Sequence, residues 1–368
     1  MNFTALKEYL ETLREDWKIP GCAMTIRIGR ETVFSDYENA APGDVYWLYS
    51  ATKVFTATMF CRLLEQGKLR LEDRVSDYLP EYAHLEIENE QGERRAAVQP
   101  LTVAHLITMC GGLTYNIFHP AIKAASDRST RGIVREIAKM PLMAEPGETY
   151  IYSLCHDVLA AILEKVTDTR FAELLRREIT EPLGMRDTVF HPDAALEARF
   201  APQYRWQGDR HDVAPVPCTN QFRFSPDFDS GGAGLCSTLE DYILLPEALA
   251  NGGRGRDGYP LLKPETIDEM RKNRLTTEQK AGFDLRWGAR LRSYGYGLGV
   301  RTRVDHADGG LSPLGEFGWD GAAGAYCLID PEHQVSAFYV QHVLDMGPVY
   351  DVIHPDLRNL IYQGLETK

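Results

Sequence analysis

Apolar residues Phe55, Met59, Phe60, Leu63 and Leu64 recur at the spacing of a helix with one buried face. Gly67 ends the run, and the pattern predicts a helix over residues 50–66. Leu6, Leu10 and Leu13 carry the same period and predict an amphipathic helix over 3–16. Between them, residues 21–28 and 31–40 read as two strands joined at Gly29-Arg30, a hairpin. Residues 69–78 read as a short helix or turn ending at Pro80, and 85–98 as a small hairpin or loop. Helices are predicted over 101–110, with Thr102 as N-cap and Gly111-Gly112 as the stop, and over most of 120–140. Two more follow the Pro146-Gly147 turn, at 154–167 and 171–179.

The texture changes after Phe190. Residues 191–230 are rich in Pro, Asp and aromatics and read mostly as loop. Helices are predicted over 238–250 and from Lys263-Pro264-Glu265 to about residue 271. Strands return at 296–304, 323–329 and 334–343, the last two joined by Asp330-Pro331-Glu332-His333, and a helix spans 350–365. Strands therefore lie at both ends of the chain with helices between them. The expected class is α/β in the α+β sense. A sheet lobe comes from residues 1–54 plus 220–368, a mainly helical lobe from 55–219 is inserted in it, and the site lies in the cleft between them.

Composition narrows the function classes. The 368 residues are 44% hydrophobic and 25% charged, ample for a large core. The net charge of −13, without a basic run, argues against nucleic acid or an anionic membrane as partner. The seven cysteines have no zinc-finger spacing and read as free thiols in a reducing compartment. The N-terminal residues lack a basic stretch followed by an apolar one, and no apolar run has membrane-spanning length. The expected location is the cytoplasm. His105, His156 and His333 stand alone, so no metal is expected, and no cofactor. The match of Gly253 to Gly258 to G-x-G-x-x-G follows a helix and precedes Pro260, which makes it a loop. No G-x-S-x-G elbow is present.

The candidate chemistry starts at Ser50-Ala51-Thr52-Lys53. Residues three apart on a helix share a face, so the hydroxyl of Ser50 and the amine of Lys53 are neighbours. A serine becomes a nucleophile only beside a base. A lysine serves as that base where burial or nearby cations lower its pKa. Free N–H groups at the start of the helix face a developing oxyanion. Tyr152 sits at a loop-to-helix junction, where a phenol can relay a proton. The glycines of Phe317-Gly318-Trp319-Asp320-Gly321-Ala322-Ala323-Gly324 allow a close approach to backbone and a second set of oxyanion donors. Asp157 reads as a structural cap or ion-pair partner, with orientation of the Tyr152 region as the alternative. Tyr115, Asn116 and Phe118, with Phe222, Phe224 and Phe228, are candidates for the cleft rim.

In this order the motifs resemble the serine β-lactamase and penicillin-binding-protein superfamily. The likeness is to its class C branch, and most of all to the β-lactamase-like carboxylesterases called family VIII esterases. Glu181-Pro182-Leu183-Gly184-Met185, Ser230-Gly231-Gly232-Ala233-Gly234-Leu235 and Gly315 through Trp319 carry the resemblance nearly end to end. It implies a β-lactamase/transpeptidase-like fold, an antiparallel sheet flanked by helices. It also implies Ser50 as acylated nucleophile, with Lys53 and Tyr152 sharing the proton transfers, and an oxyanion hole from the N–H groups of Ser50 and Ala322.

Two departures bear on the substrate. Where class C enzymes have Tyr-x-Asn, this chain has Tyr152-Ser153-Leu154, an apolar group in place of an amide. Where true lactamases begin the third motif with lysine, Trp319 stands, and Asp320 beside it adds negative charge. If Asp320 faced the cleft, it would repel a carboxylate about 5 Å away by several kcal/mol at an effective dielectric near 20. The expected substrate is a small-molecule ester or amide, with Trp319, Asp320, Gly321, Leu154 and Tyr115 around it. The expected activity is hydrolysis of short-chain carboxylic esters through an acyl-enzyme. The alternatives are a β-lactamase, a D-amino-acid peptidase, or a slowly turning over penicillin-binding-like protein. No oligomeric state is read.

Overall fold

The computed structural model describes residues 1–89 and 91–366. A seven-stranded antiparallel sheet runs in the order Glu31–Glu38, Cys22–Ile28, Val335–Gln341, Tyr326–Asp330, Phe317–Gly318, Arg301–Arg303, Tyr294–Tyr296. Its middle joins the two ends of the chain, with Cys22 opposite Gln341 and Ile28 opposite Val335. Side chains alternate between the faces of a strand. Met24, Ile26, Ala337, Tyr339 and Leu328 face one core. Leu6, Leu10 and Leu13 of helix Thr4–Asp16 lie there, with Leu357 and Ile361 of helix His354–Glu366. Ala23, Phe338, Val340, Cys327 and Ile329 face the other, larger core. Burial on both faces explains why these strands read as nearly continuous apolar runs.

The larger core also holds the helices of the middle of the chain. Helix Cys155–Thr167 is buried at every position from Cys155 to Leu163 and packs against helix Lys53–Glu65. Tyr242 ties this body to the sheet. Its ring stacks on Phe338 with centroids 3.8 Å apart, and its hydroxyl donates to the carbonyl of Ala51 at 2.9 Å.

Several expected elements take a different form. The single strand at 296–304 is two, Tyr294–Tyr296 and Arg301–Arg303, folded back where Gly297 N–H donates to the Val300 carbonyl at 2.8 Å. Leu298 and Val300 are core residues of that turn, and their spacing imitates a strand. The loop at 191–230 contains the hairpin Gln203–Gln207 with Asp212–Val216, whose first strand also pairs in parallel with Val343–Leu344. Pro215 and the flanking polar residues hide its alternation. Residues 120–140 break into Pro120–Lys123 and Thr130–Ile137, the second capped by the Ser129 hydroxyl. Residues 85–98 form the hairpin Glu86–Glu88 with Arg94–Ala96, and Glu90 lies outside the described residues. Helix Thr277–Trp287 was not predicted. Phe283 is its only buried residue, so it has no apolar stripe, and its signal is the Thr276/Gln279 capping box.

Candidate active site

The site begins at the turn before Ser50. The short strand Val45–Trp47 pairs with Cys236–Thr238, and Tyr49 then takes a left-handed φ of 47°. A bulky residue in this region costs on the order of 1–3 kcal/mol and persists only where its surroundings fix it. Two bonds of 3.0 Å do so, from Leu48 N–H to the Leu235 carbonyl and from the Tyr49 hydroxyl to the Thr219 carbonyl. The chain enters a tight 3-10 turn, Tyr49–Thr52, and continues as helix Lys53–Glu65. Ser50 is thus delivered in the 3-10 turn that opens the helical run, with Lys53 as the first residue of the α-helix.

Lys53 is fully buried, and its Nζ donates to Ser50 Oγ at 3.2 Å and to the Gly232 carbonyl at 2.7 Å. The Tyr152 hydroxyl donates to Ser50 Oγ at 2.6 Å. Lys53 Nζ also lies 4.7 Å from the centre of the Tyr152 ring. Two groups able to take a proton are therefore within hydrogen-bond reach of one hydroxyl, the geometric condition for nucleophilic catalysis. Trp319 completes the set. Its ring stacks on Tyr152 at 5.7 Å, and its Nε1–H donates to the Tyr152 oxygen at 3.3 Å.

After Trp319, Gly324 N–H donates to the Gly321 carbonyl at 3.0 Å and closes a turn around Ala322. Ala322 is exposed, and its N–H has no acceptor among the described residues. A Cβ on Gly321 would come within 2.3 Å of the Leu48 carbonyl. Glycine is therefore what lets this turn reach the segment that carries Ser50.

Asp157 is positioned differently from a cap. Its buried Oδ1 accepts from the Ser230 hydroxyl at 2.6 Å and from Gly232 N–H at 3.4 Å, so it holds the loop whose carbonyl receives Lys53. Burial pushes its carboxyl up, opposed by the Ser230 bond and by Lys53. The next residue back, His156, is buried with neither ring nitrogen bonded among the described residues, and burial with the Lys53 charge holds it neutral.

Two expected contacts are corrected. The Asp320 carboxylate does not face the cleft as free charge. It is bonded to Arg301 at 2.6 Å and Arg290 at 3.2 Å, with His354 at 3.8 Å. Although burial opposes ionisation, Arg301 and Arg290 hold this carboxyl below the usual carboxylate range. Leu154 is 1% exposed and belongs to the core, because the helix that starts after it turns the side chain inward. Tyr115 does reach the site, 5.3 Å from the Tyr152 ring, and Phe222 backs it at 5.8 Å. Phe224 and Phe228 stack on each other, and Phe118 is exposed beside Lys123. Trp287 was missed. It lies edge-on to Tyr152 at 5.2 Å and to Trp319 at 5.7 Å, on the helix that sequence periodicity did not show.

Trp319→Phe keeps the stacking and removes the indole N–H. A neutral hydrogen bond of about 1 kcal/mol corresponds to about a fivefold loss of kcat on an ester substrate. Steady-state kinetics beside the unaltered protein check it.

The family profile described as Beta-lactamase matches residues 6–352, nearly the whole chain. This chain belongs to the Beta-lactamase family. Protein Rv1367c of Mycobacterium tuberculosis is 30% identical over 324 residues, 82% of this chain and 79% of its own length. Esterase EstB of Burkholderia gladioli is 28% identical over 365 residues, 87% of this chain and 85% of its own. Among solved structures, unliganded simvastatin synthase (LovD) from Aspergillus terreus superposes with a TM-score of 0.85 at 20% identity, covering all of both chains. That likeness shows the fold, the antiparallel sheet flanked by helices. The family includes hydrolases and acyltransferases, and membership makes this chain a Beta-lactamase-fold enzyme. Among the described residues, no helix is long and apolar enough to cross a membrane.

Proposed function

We propose that this Beta-lactamase family member is a serine hydrolase that forms an acyl-enzyme at Ser50 and acts on short-chain carboxylic esters. The observation that carries the reading is the pair of hydrogen bonds meeting at Ser50 Oγ, from Lys53 Nζ and the Tyr152 hydroxyl. Ser50 Oγ attacks the ester carbonyl and gives up its proton within the Lys53–Tyr152 pair. Negative charge on the carbonyl oxygen is met by the N–H groups of Ser50 and Ala322. Collapse breaks the bond to the alcohol oxygen, which receives the proton from the same pair. Water then cleaves the acyl-enzyme, with Tyr152 or Lys53 as base. The substrate lies between the sheet lobe, 1–54 plus 220–368, and the helical lobe, 55–219.

The preference for a neutral ester rests on the aromatic wall. Tyr115, Trp287 and Trp319 surround Tyr152, and an indole stands where a lactamase lysine would meet a carboxylate. Asp320 adds nothing to that preference, since its charge is spent on Arg301 and Arg290. The similarity to Esterase EstB is a further support.

One assay tests the reading. The protein and Ser50→Ala are incubated with p-nitrophenyl acetate, p-nitrophenyl butyrate, a chromogenic cephalosporin and a D-alanyl peptide. Ester turnover that vanishes in Ser50→Ala is expected. Cephalosporin or peptide turnover above ester turnover would favour a β-lactamase or D-peptidase. A stable adduct without turnover would favour a penicillin-binding-like protein.

A further inference from the structure

We infer that Tyr350 is a positioning residue for the oxyanion donor, acting with His354 through the carbonyls at the two ends of the turn that presents Ala322. The inference rests on the reading of Ala322 given above and extends it to the C-terminal helix.

The chain enters that helix through a π-helical turn, Val349–Ile353, before His354–Glu366. Such widened turns concentrate at functional sites. Here it places Tyr350 and His354 side by side, their rings edge-on with centroids 5.3 Å apart. The Tyr350 hydroxyl donates to the Gly321 carbonyl at 2.8 Å. His354 Nε2 bonds to the Gly324 carbonyl at 3.2 Å. Burial holds the His354 ring below its usual pKa, against the pull of Asp320, and a neutral ring with its proton on Nε2 donates to that carbonyl. Arg290 fixes Tyr350 from its other side. Its guanidinium lies 3.7 Å from the ring centre while it bonds to Asp320, the residue that enters the turn.

The turn is therefore held from behind at both carbonyls, while Gly321 abuts the Leu48 carbonyl in front. Neither Tyr350 nor His354 lies among the groups bonded to Ser50 Oγ. Their effect passes through where the Ala322 N–H points. A donor stabilises the tetrahedral oxygen only when held about 3 Å from it, and loss of a whole donor costs about a hundredfold or more in kcat. Removing one restraint on the turn should cost less, about tenfold.

Tyr350→Phe keeps the ring and its stacking and removes the bond to Gly321. The test measures kcat and KM for p-nitrophenyl butyrate, and the Ki of an alkyl boronic acid, whose tetrahedral adduct with serine places an oxygen where the oxyanion forms. The expected result is a kcat about tenfold lower and a Ki higher by the same factor, with KM unchanged. A purely structural role would lower the melting temperature and leave the ratio of Ki to KM unchanged, and that result overturns the inference. Unchanged kcat and Ki overturn it as well. Failure of the parent reading is separate, since it appears as ester turnover that survives Ser50→Ala.

Discussion

Lys53→Met is expected to lower kcat for p-nitrophenyl acetate by about a thousandfold while leaving KM within a small factor. Methionine has nearly the length of lysine and suits a fully buried slot, so the helix Lys53–Glu65 should keep its packing. What goes is the amine bonded to Ser50 Oγ and to the Gly232 carbonyl. That carbonyl is then left without its donor, at a cost of about 1–3 kcal/mol in stability, which a melting curve separates from the kinetic loss. Tyr152→Phe should fall in the same direction, by about a hundredfold. Because the two groups serve one hydroxyl, the double variant should be little worse than Lys53→Met alone. A double variant showing the product of the two losses would mean that Lys53 and Tyr152 act independently.

The second large effect is on stability. Asp320→Ala removes the carboxylate bonded to Arg301, which is 1% exposed, and to Arg290. Breaking one side of a buried pair leaves Arg301, among the described residues, with only the more distant Glu316 carboxylate, at 3.8 Å, and about 3 kcal/mol of unfolding free energy should be lost in urea denaturation. The pH dependence follows from the depressed Asp320 pKa. Between its folded and unfolded pKa values the unfolded chain binds more protons, so stability rises with pH through that window. The contribution of Asp320 is complete above about pH 5 and is lost as pH falls below the unfolded value near 4. The gap between the protein and Asp320→Ala should narrow in acid and stay level from pH 5 to 8. A gap that widens in acid would mean that Asp320 is not held ionised by its arginines.

The same residue marks the limit of what could be read from the chain. Asp320 follows Trp319 in a glycine-bracketed segment, so by position it belongs to the cleft. Its partners Arg301 and Arg290 come from a strand and a turn that no local pattern relates to it. Leu154 was misplaced for a similar reason: the motif position is right, but the helix beginning at Cys155 rotates the side chain into the core. The pieces that were legible obey local rules. Ser50 and Lys53 are one helical turn apart, the hairpin of Cys22–Ile28 and Glu31–Glu38 turns at Gly29-Arg30, and Gly321 has to be small. Trp287 stayed hidden because its helix, almost wholly solvated, lacks an apolar stripe. That helix opens on the Thr276/Gln279 capping box and packs through Phe283 on Tyr150 and through Trp287 on Tyr152.

The central claim, that Ser50 carries the acyl group, is tested most directly by trapping it. The protein is mixed with p-nitrophenyl butyrate, quenched in acid during turnover, digested and weighed. The expected result is one butyryl group on the peptide that contains Ser50, absent from Ser50→Ala, which should no longer turn over the ester. An acyl group on any other residue, or ester turnover that persists in Ser50→Ala, would contradict it.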